Sequence, residues 1–226
     1  SGQSFNPFKK RLEKTIKMKE KAEKETGEKK AYMINVTSET EEMIKRAKLV
    51  EDYGNEYVMV DIITLGWAAL QTLKNKYFNL ILHAHRAGHA AFTKNPKHGI
   101  SMKVIAKLVR IIGLDQLHIG TAVGKMYETK KEVLENCDAL KEKMYGLKPV
   151  MPVASGGIHV GMIPELVKIF GNDLIIQAGG GIHNLKTRIG ATAMRQTLDA
   201  TLAGISLQEY SKKHKELKMA LDNLKG

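Results

Sequence analysis

The chain has 226 residues, 43% of them hydrophobic, which is enough apolar matter for one domain with a real core. It holds no run of about 18 apolar residues to span a membrane, opens on no charged-then-apolar leader, and has a single cysteine, Cys137, which excludes an internal disulfide and a multi-cysteine metal site; a reducing, cytoplasmic setting is expected. The net charge of +12 points either to nucleic acid or to anionic small molecules.

The first segment carries much of that charge. Lys9, Lys10, Arg11, Lys14, Lys17, Lys19, Lys21 and Lys24 are interleaved with Glu13, Glu20, Glu23 and Glu25, often at helical spacing. No aromatic stacking platform accompanies them, so they read as a solvated helix face and not as a nucleic-acid patch. This opening helix runs to about Glu25, with Phe8, Leu12, Ile16 and Met18 toward a core.

Six strand-then-helix units follow. The first strand is Ala31 to Val36, after which Ser38, with Glu41 three residues on, forms an expected capping box. The second is Tyr57 to Ile63, with a helix after Gly66. The third is Leu80 to His85, its helix running from about Ser101 to Ile112. The fourth, Gln116 to Ile119, precedes a Lys/Glu helix from about Lys130 to Met144. The fifth begins after Pro149 and leads to a helix near Pro164, a favourable first-turn position. The sixth, Leu174 to Gln177, is followed by a helix from about Ile189 to Leu202, and a terminal helix covers about Leu207 to Leu224.

Strands alternating with helices in this way indicate a parallel sheet with helices outside. An open doubly wound sheet and a (β/α)8 barrel compete. Polar motifs at the ends of at least four successive strands favour the barrel, whose active site is built from the C-terminal strand ends. The expected fold class is therefore α/β, a TIM-type barrel portion with six of eight βα units.

Those motifs carry the chemistry. His85 and Arg86 end the third strand, and an imidazole poised for proton transfer beside a phosphate-binding guanidinium is one reading of them. His89, four residues beyond His85, would make a metal pair on a helix, but no third ligand lies nearby in sequence. His118 ends the fourth strand, followed by Gly120-Thr121-Ala122-Val123-Gly124-Lys125, a loop that brings a lysine to developing negative charge. Ser155-Gly156-Gly157 and Gly179-Gly180-Gly181 offer backbone N–H groups of the kind that hold phosphate. A sugar with a phosphate at each end would use both clusters.

At these residues the chain resembles the C-terminal barrel portion of the ribulose-bisphosphate carboxylase large subunit, nearest to the archaeal form III enzymes. The stretches that carry the resemblance are His83 to Ala91, Asn95 to Ile100, Asp115 to Lys125, Pro152 to Gly157 and Ile175 to Gly181, within a likeness covering residues 1–226 as one partial barrel domain. The resemblance implies that His85 assists proton transfer and that Lys125, on a mobile loop, stabilises the incoming carboxylate. It implies further that Arg86 and His118 bind one phosphate of ribulose 1,5-bisphosphate, with Ser155 on a sugar hydroxyl and Gly157, Gly179 and Gly180 on the other phosphate. His83 and His89 are expected to be structural.

The family binds Mg²⁺ through a carbamylated lysine and an adjacent Asp-Glu pair on the second barrel strand. Ser1 to Asn6 resembles the stretch just after that motif, so this chain is expected to hold no metal ligands and to be inactive alone. The expected partners are a sugar bisphosphate and a second copy or another chain covering the two open sheet edges. Two departures stand out: Met126-Tyr127-Glu128-Thr129 replaces a glycine-bearing tip after Lys125, and Ile182 to Arg188 lacks the family's Gly-His-Pro turn. They favour an alternative, a non-catalytic barrel that binds a sugar phosphate or acts as a scaffold.

Overall fold

A computed structural model describes residues 4–77, 79–95, 97–124 and 128–224. The chain divides into two compact units, Ser1–Leu117 with Leu140–Val150, and His118–Ala139 with Met151–Gly226. In chain order the first contains α1 (Phe8–Thr26), β1 (Ile34–Asn35), α2 (Thr40–Asp52), β2 (Tyr57–Asp61), α3 (Ile62–Lys76), β3 (Ile81–His85), α4 (Ala90–Thr93) and α5 (Met102–Ile112). β4 (Gln116–Gly120) gives its first two residues to this unit and the rest to the next. Then come α6 (Lys130–Lys141), β5 (Met151–Ser155), α7 (Ile163–Phe170), β6 (Ile175–Gln177), α8 (Gly180–His183), α9 (Thr187–Leu202), α10 (Leu207–Ser211) and α11 (Lys215–Asn223).

The strands form one sheet in sequential order, β1 to β6, and the recorded pairings are parallel, as six successive βα units require. In β3, Leu82, His83 and Ala84 are consecutively buried, the mark of a sheet covered on both faces.

In the first unit, α1 buries Phe8, Leu12 and Ile16 at a strict four-residue spacing. Met18, expected beside them, is instead 60% exposed. Two residues past Ile16 is about 200° around the helix, which puts it on the far face. The charge run is a solvated helix surface, with Lys19–Glu23 at 3.5 Å and Lys21–Glu25 at 3.8 Å, and it stops at Gly27 in the left-handed conformation. β1 is shorter than expected, Ile34–Asn35, and before it the carbonyl of Tyr32 accepts a bond from Asn55 Nδ2 (2.8 Å).

The expected capping box at Ser38 is replaced by Glu39. Its carboxylate accepts from the backbone N–H groups of Glu41 (2.9 Å) and Glu42 (2.6 Å), where the positive end of α2 favours an anion. β2 ends at Asp61, not Ile63, and α3 is interrupted at Gly66 (φ 72°, ψ 165°), so a short turn precedes the helix expected after that glycine. α5 is capped by the Ser101 hydroxyl and closed by left-handed Gly113.

In the second unit, Ile176 on β6 faces α7 and α9 across an apolar groove of about 260 Å³ lined by Val167, Leu174, Leu198 and Leu202. The single terminal helix expected over Leu207 to Leu224 is broken in two. His214 turns extended (φ −128°, ψ 93°) and its ring stacks on Tyr210 at 3.9 Å. The break lets α11 lay Leu217 and Ala220 into a cluster with Val160 and Ala193, while Gln196 of α9 accepts the Leu217 N–H at 2.9 Å.

Candidate active site

Parallel strands in register end together, and their C-terminal ends place the polar residues. In the first unit, Asp61 and His85 are the last residues of β2 and β3 and are register partners. Asp61 Oδ1 lies 3.1 Å from His85 Nδ1, and Asp61 Oδ2 accepts from Asn35 Nδ2 at 3.1 Å. Thr37 completes the arrangement: its hydroxyl accepts the Asp61 N–H (2.8 Å) and its own N–H donates to Asn35 Oδ1 (2.9 Å). Arg86 follows directly, only 6% exposed.

His83 and His89 are buried and bonded. His83 Nδ1 meets Gln116 Oε1 at 2.7 Å, and burial pushes its imidazole below the usual histidine range. His89 Nδ1 meets Thr93 Oγ1 at 3.0 Å. Its burial, then the charges of Arg86 and His85, push it down to about 4, so it is neutral at pH 7.

In the second unit, His118 Nδ1 lies 2.6 Å from Ser155 Oγ. Ser155 is in register with Gln177 at the end of β6, so their side chains share a face. Gln177 holds its amide oxygen buried with no hydrogen-bond partner among the described residues. The glycines after these strands differ in kind. A Cβ at Gly157 or Gly179 would meet nothing within 4 Å, and at Gly180 only Asn184 Oδ1 at 3.9 Å, so the backbone there borders open space. Gly181 is a packing glycine, since its Cβ would sit 2.2 Å from the carbonyl oxygen of Ile158. Gly179 to Gly181, expected as a loop, open the short helix α8, whose first N–H groups have no partner inside the helix.

The second unit brings His118 to Ser155 beside the open glycines, while in the first His85 and Arg86 are consecutive residues at the end of β3. Lys125 lies outside the described residues. Asp61, Asn35, Thr37 and Gln177 are not among the residues the motifs single out; the expected strand runs on to Ile63, which leaves Asp61 inside it. Among the described residues, no three His, Cys, Asp or Glu side chains come together as a metal site. Among the same residues no helix is long and apolar enough to cross a membrane.

The ribulose bisphosphate carboxylase large chain, catalytic domain, is the family description that matches, over residues 1–224. The chain is 55% identical over 240 residues to the ribulose bisphosphate carboxylase of Methanosarcina mazei, covering 98% of this chain and 56% of that protein. It superposes with a TM-score of 0.96 and 46% identity on the octameric ribulose-1,5-bisphosphate carboxylase/oxygenase of Pyrococcus horikoshii OT3, covering 99% of this chain and 55% of the other. For the dimeric archaeal Rubisco of Hyperthermus butylicus the values are 0.89 and 44%, over 97% and 55%. These likenesses bear out the expected fold class, a portion of a β/α barrel. The chain spans about half the length of the curated relatives it matches.

Proposed function

From the premise that this chain belongs to the ribulose bisphosphate carboxylase large-chain family, we propose that it is the C-terminal portion of a form III carboxylase catalytic domain. The whole enzyme adds CO₂ to ribulose 1,5-bisphosphate in the cytoplasm, giving 3-phosphoglycerate. One observation carries this most directly: in the second unit, open backbone at Gly157, Gly179 and Gly180 accompanies the His118–Ser155 pair. Gly157 is also called for by its φ of 64°, whereas Gly179 and Gly180 are demanded by neither packing nor a left-handed backbone, which is what a phosphate needs in order to approach N–H groups closely.

In this reading His118 binds a phosphate and Ser155 a sugar hydroxyl, and Gly157, Gly179 and Gly180 hold the other phosphate through their N–H groups. Arg86 binds phosphate as a fixed cation, His85 moves a proton, and Lys125 meets the incoming carboxylate. Mg²⁺ belongs to the full-length family; among the described residues no three His, Cys, Asp or Glu side chains gather to hold it, and none of these roles uses it. The chain by itself binds the bisphosphate without carboxylating it and associates with further copies, as its octameric and dimeric relatives do.

Calorimetric titration of ribulose 1,5-bisphosphate into the 226-residue chain, beside a ¹⁴CO₂ incorporation assay with Mg²⁺, tests the reading. Expected are saturable binding that Arg86→Ala weakens, and no incorporation until the remaining half of a full-length relative is supplied. No binding at millimolar bisphosphate overturns the substrate assignment. Incorporation by the chain alone overturns its inactivity, and binding without incorporation after complementation leaves the non-catalytic alternative.

A further inference from the structure

We propose that Asp61 is a positioning residue that fixes the tautomer of His85, holding the proton on Nδ1 so that the ring accepts a proton only through Nε2. This rests on the reading of His85 as a proton-transfer group and adds the residue that gives the transfer its direction.

The carboxylate is pinned before it reaches the imidazole. Asn35 Nδ2 donates to Asp61 Oδ2, the Asp61 N–H donates to Thr37 Oγ1, and the Thr37 N–H donates to Asn35 Oδ1, a closed ring of three bonds at 3.1, 2.8 and 2.9 Å. Register pairing of β2 with β3 then sets Oδ1 3.1 Å from His85 Nδ1. Asp61 and Asn35 are both strand residues, and only Thr37 comes from the connection between β1 and α2.

Two groups compete for that nitrogen. Asp61 Oδ1 can only accept, while the backbone N–H of Ala87, 3.2 Å from the same Nδ1, can only donate. Nδ1 serves one or the other: protonated, it donates to Asp61; bare, it accepts from Ala87. A hydrogen bond to an ionised acceptor is roughly twice as strong as one between neutral groups, so the carboxylate wins and the proton resides on Nδ1. The neutral ring then presents its lone pair at Nε2. A proton taken there gives an imidazolium whose other N–H still faces Asp61, and returning it restores the starting tautomer. Without Asp61, Ala87 claims Nδ1, the proton moves to Nε2, and the accepting end is lost although the ring is still in place.

The test is the ¹⁵N–¹H long-range spectrum of the 226-residue chain labelled at histidine nitrogens, at about pH 8 where an ordinary imidazole is neutral, with His85 assigned through His85→Gln. The expected wild-type pattern is a pyrrole-type Nδ1 and a pyridine-type Nε2, inverted in Asp61→Ala. A pyridine-type Nδ1 in wild type, a ring averaging between both forms, or an Asp61→Ala spectrum unchanged at His85 each overturns the proposal. Should Asp61→Ala fail to fold, Asn35→Ala unpins the carboxylate without deleting it and is expected to give averaged His85 signals; wild-type-like signals overturn the proposal. No substrate enters the measurement, so failed bisphosphate binding leaves its outcome intact and marks the carboxylase reading alone as wrong.

Discussion

His118, the middle residue of β4, and Ser155, the last of β5, meet at 2.6 Å, Nδ1 to Oγ. His118 is only 4% exposed, and the Ser155 hydroxyl is a partner of its Nδ1. Ser155→Ala is expected to lower unfolding free energy by about 1 kcal/mol, the net value of one such bond. Loss of the hydroxyl's own contact with the sugar and of its hold on the His118 ring should also weaken bisphosphate binding about tenfold, equivalent to about 1.4 kcal/mol. Urea unfolding and calorimetric titration read the two effects separately. A variant that binds as wild type would show that the pair is structural only.

The glycines after β6 predict a sharper contrast. Gly179→Ala adds a methyl group that meets nothing, so the melting temperature should stay at the wild-type value while bisphosphate affinity falls. Gly181→Ala drives its Cβ to 2.2 Å from a backbone oxygen of Ile158, and Gly190→Ala to 2.0 Å from that of Ile182. Backbone cannot give way as a side-chain end can, so each should cost about 2 kcal/mol or more. Equal destabilisation by all three would remove the argument that Gly179 is kept open for a ligand.

What the sequence made legible follows the same division. The six strands were visible as apolar runs closed by polar motifs, and the apolar stripe of α1 by its spacing. α4 and α8, four residues each, are shorter than any helical period can reveal. The break at His214 depends on a stacked Tyr210 and on docking against α9, neither of which is a local pattern. Asp61 was hidden for another reason: an aspartate at a strand end is ordinary until register puts His85 beside it. The open glycines and the packing glycine are neighbours in one Gly-Gly-Gly run, and only the backbone of Ile158 tells them apart.

Stability should fall with acid before any ordinary carboxylate titrates. His89 is pushed down to about 4 from a model-peptide value of 6.5, mainly by burial. As pH drops below 6.5, the unfolded chain takes up a proton that the folded ring refuses until about 4. Its contribution is therefore complete above 6.5 and lost on the way down, by at most about 3 kcal/mol. His83, also lowered by burial, acts in the same sense. Asp199, held low by Arg195, loses its contribution only further into acid, so the interval from about pH 6.5 to about 5 isolates the histidines. Denaturant midpoints measured across that interval should decline in wild type and decline less in His89→Gln. Parallel curves would mean the ring is already solvated.

Arg110 supplies the clearest case of a buried cation held by backbone. On α5 and 2% exposed, it donates Nε to the carbonyl of Lys148 (3.3 Å), one terminal nitrogen to Glu142 (2.7 Å) and the other to Leu147 (3.2 Å). That fork ties down the segment after α6, which turns through Tyr145 and Gly146 at positive φ. A lysine is a point charge and cannot serve three carbonyls in one plane. Arg110→Lys is expected to cost about 2–4 kcal/mol, from carbonyls left without donors, and to speed tryptic cleavage at Lys143 through local opening. Lys107, paired with Glu142 at 3.1 Å on the surface, is the control: Lys107→Ala should cost less than about 1 kcal/mol, because water screens an exposed pair. Unfolding midpoints and proteolysis rates for the two variants decide it. If they match, the segment is held by its charge pair and not by the buried guanidinium.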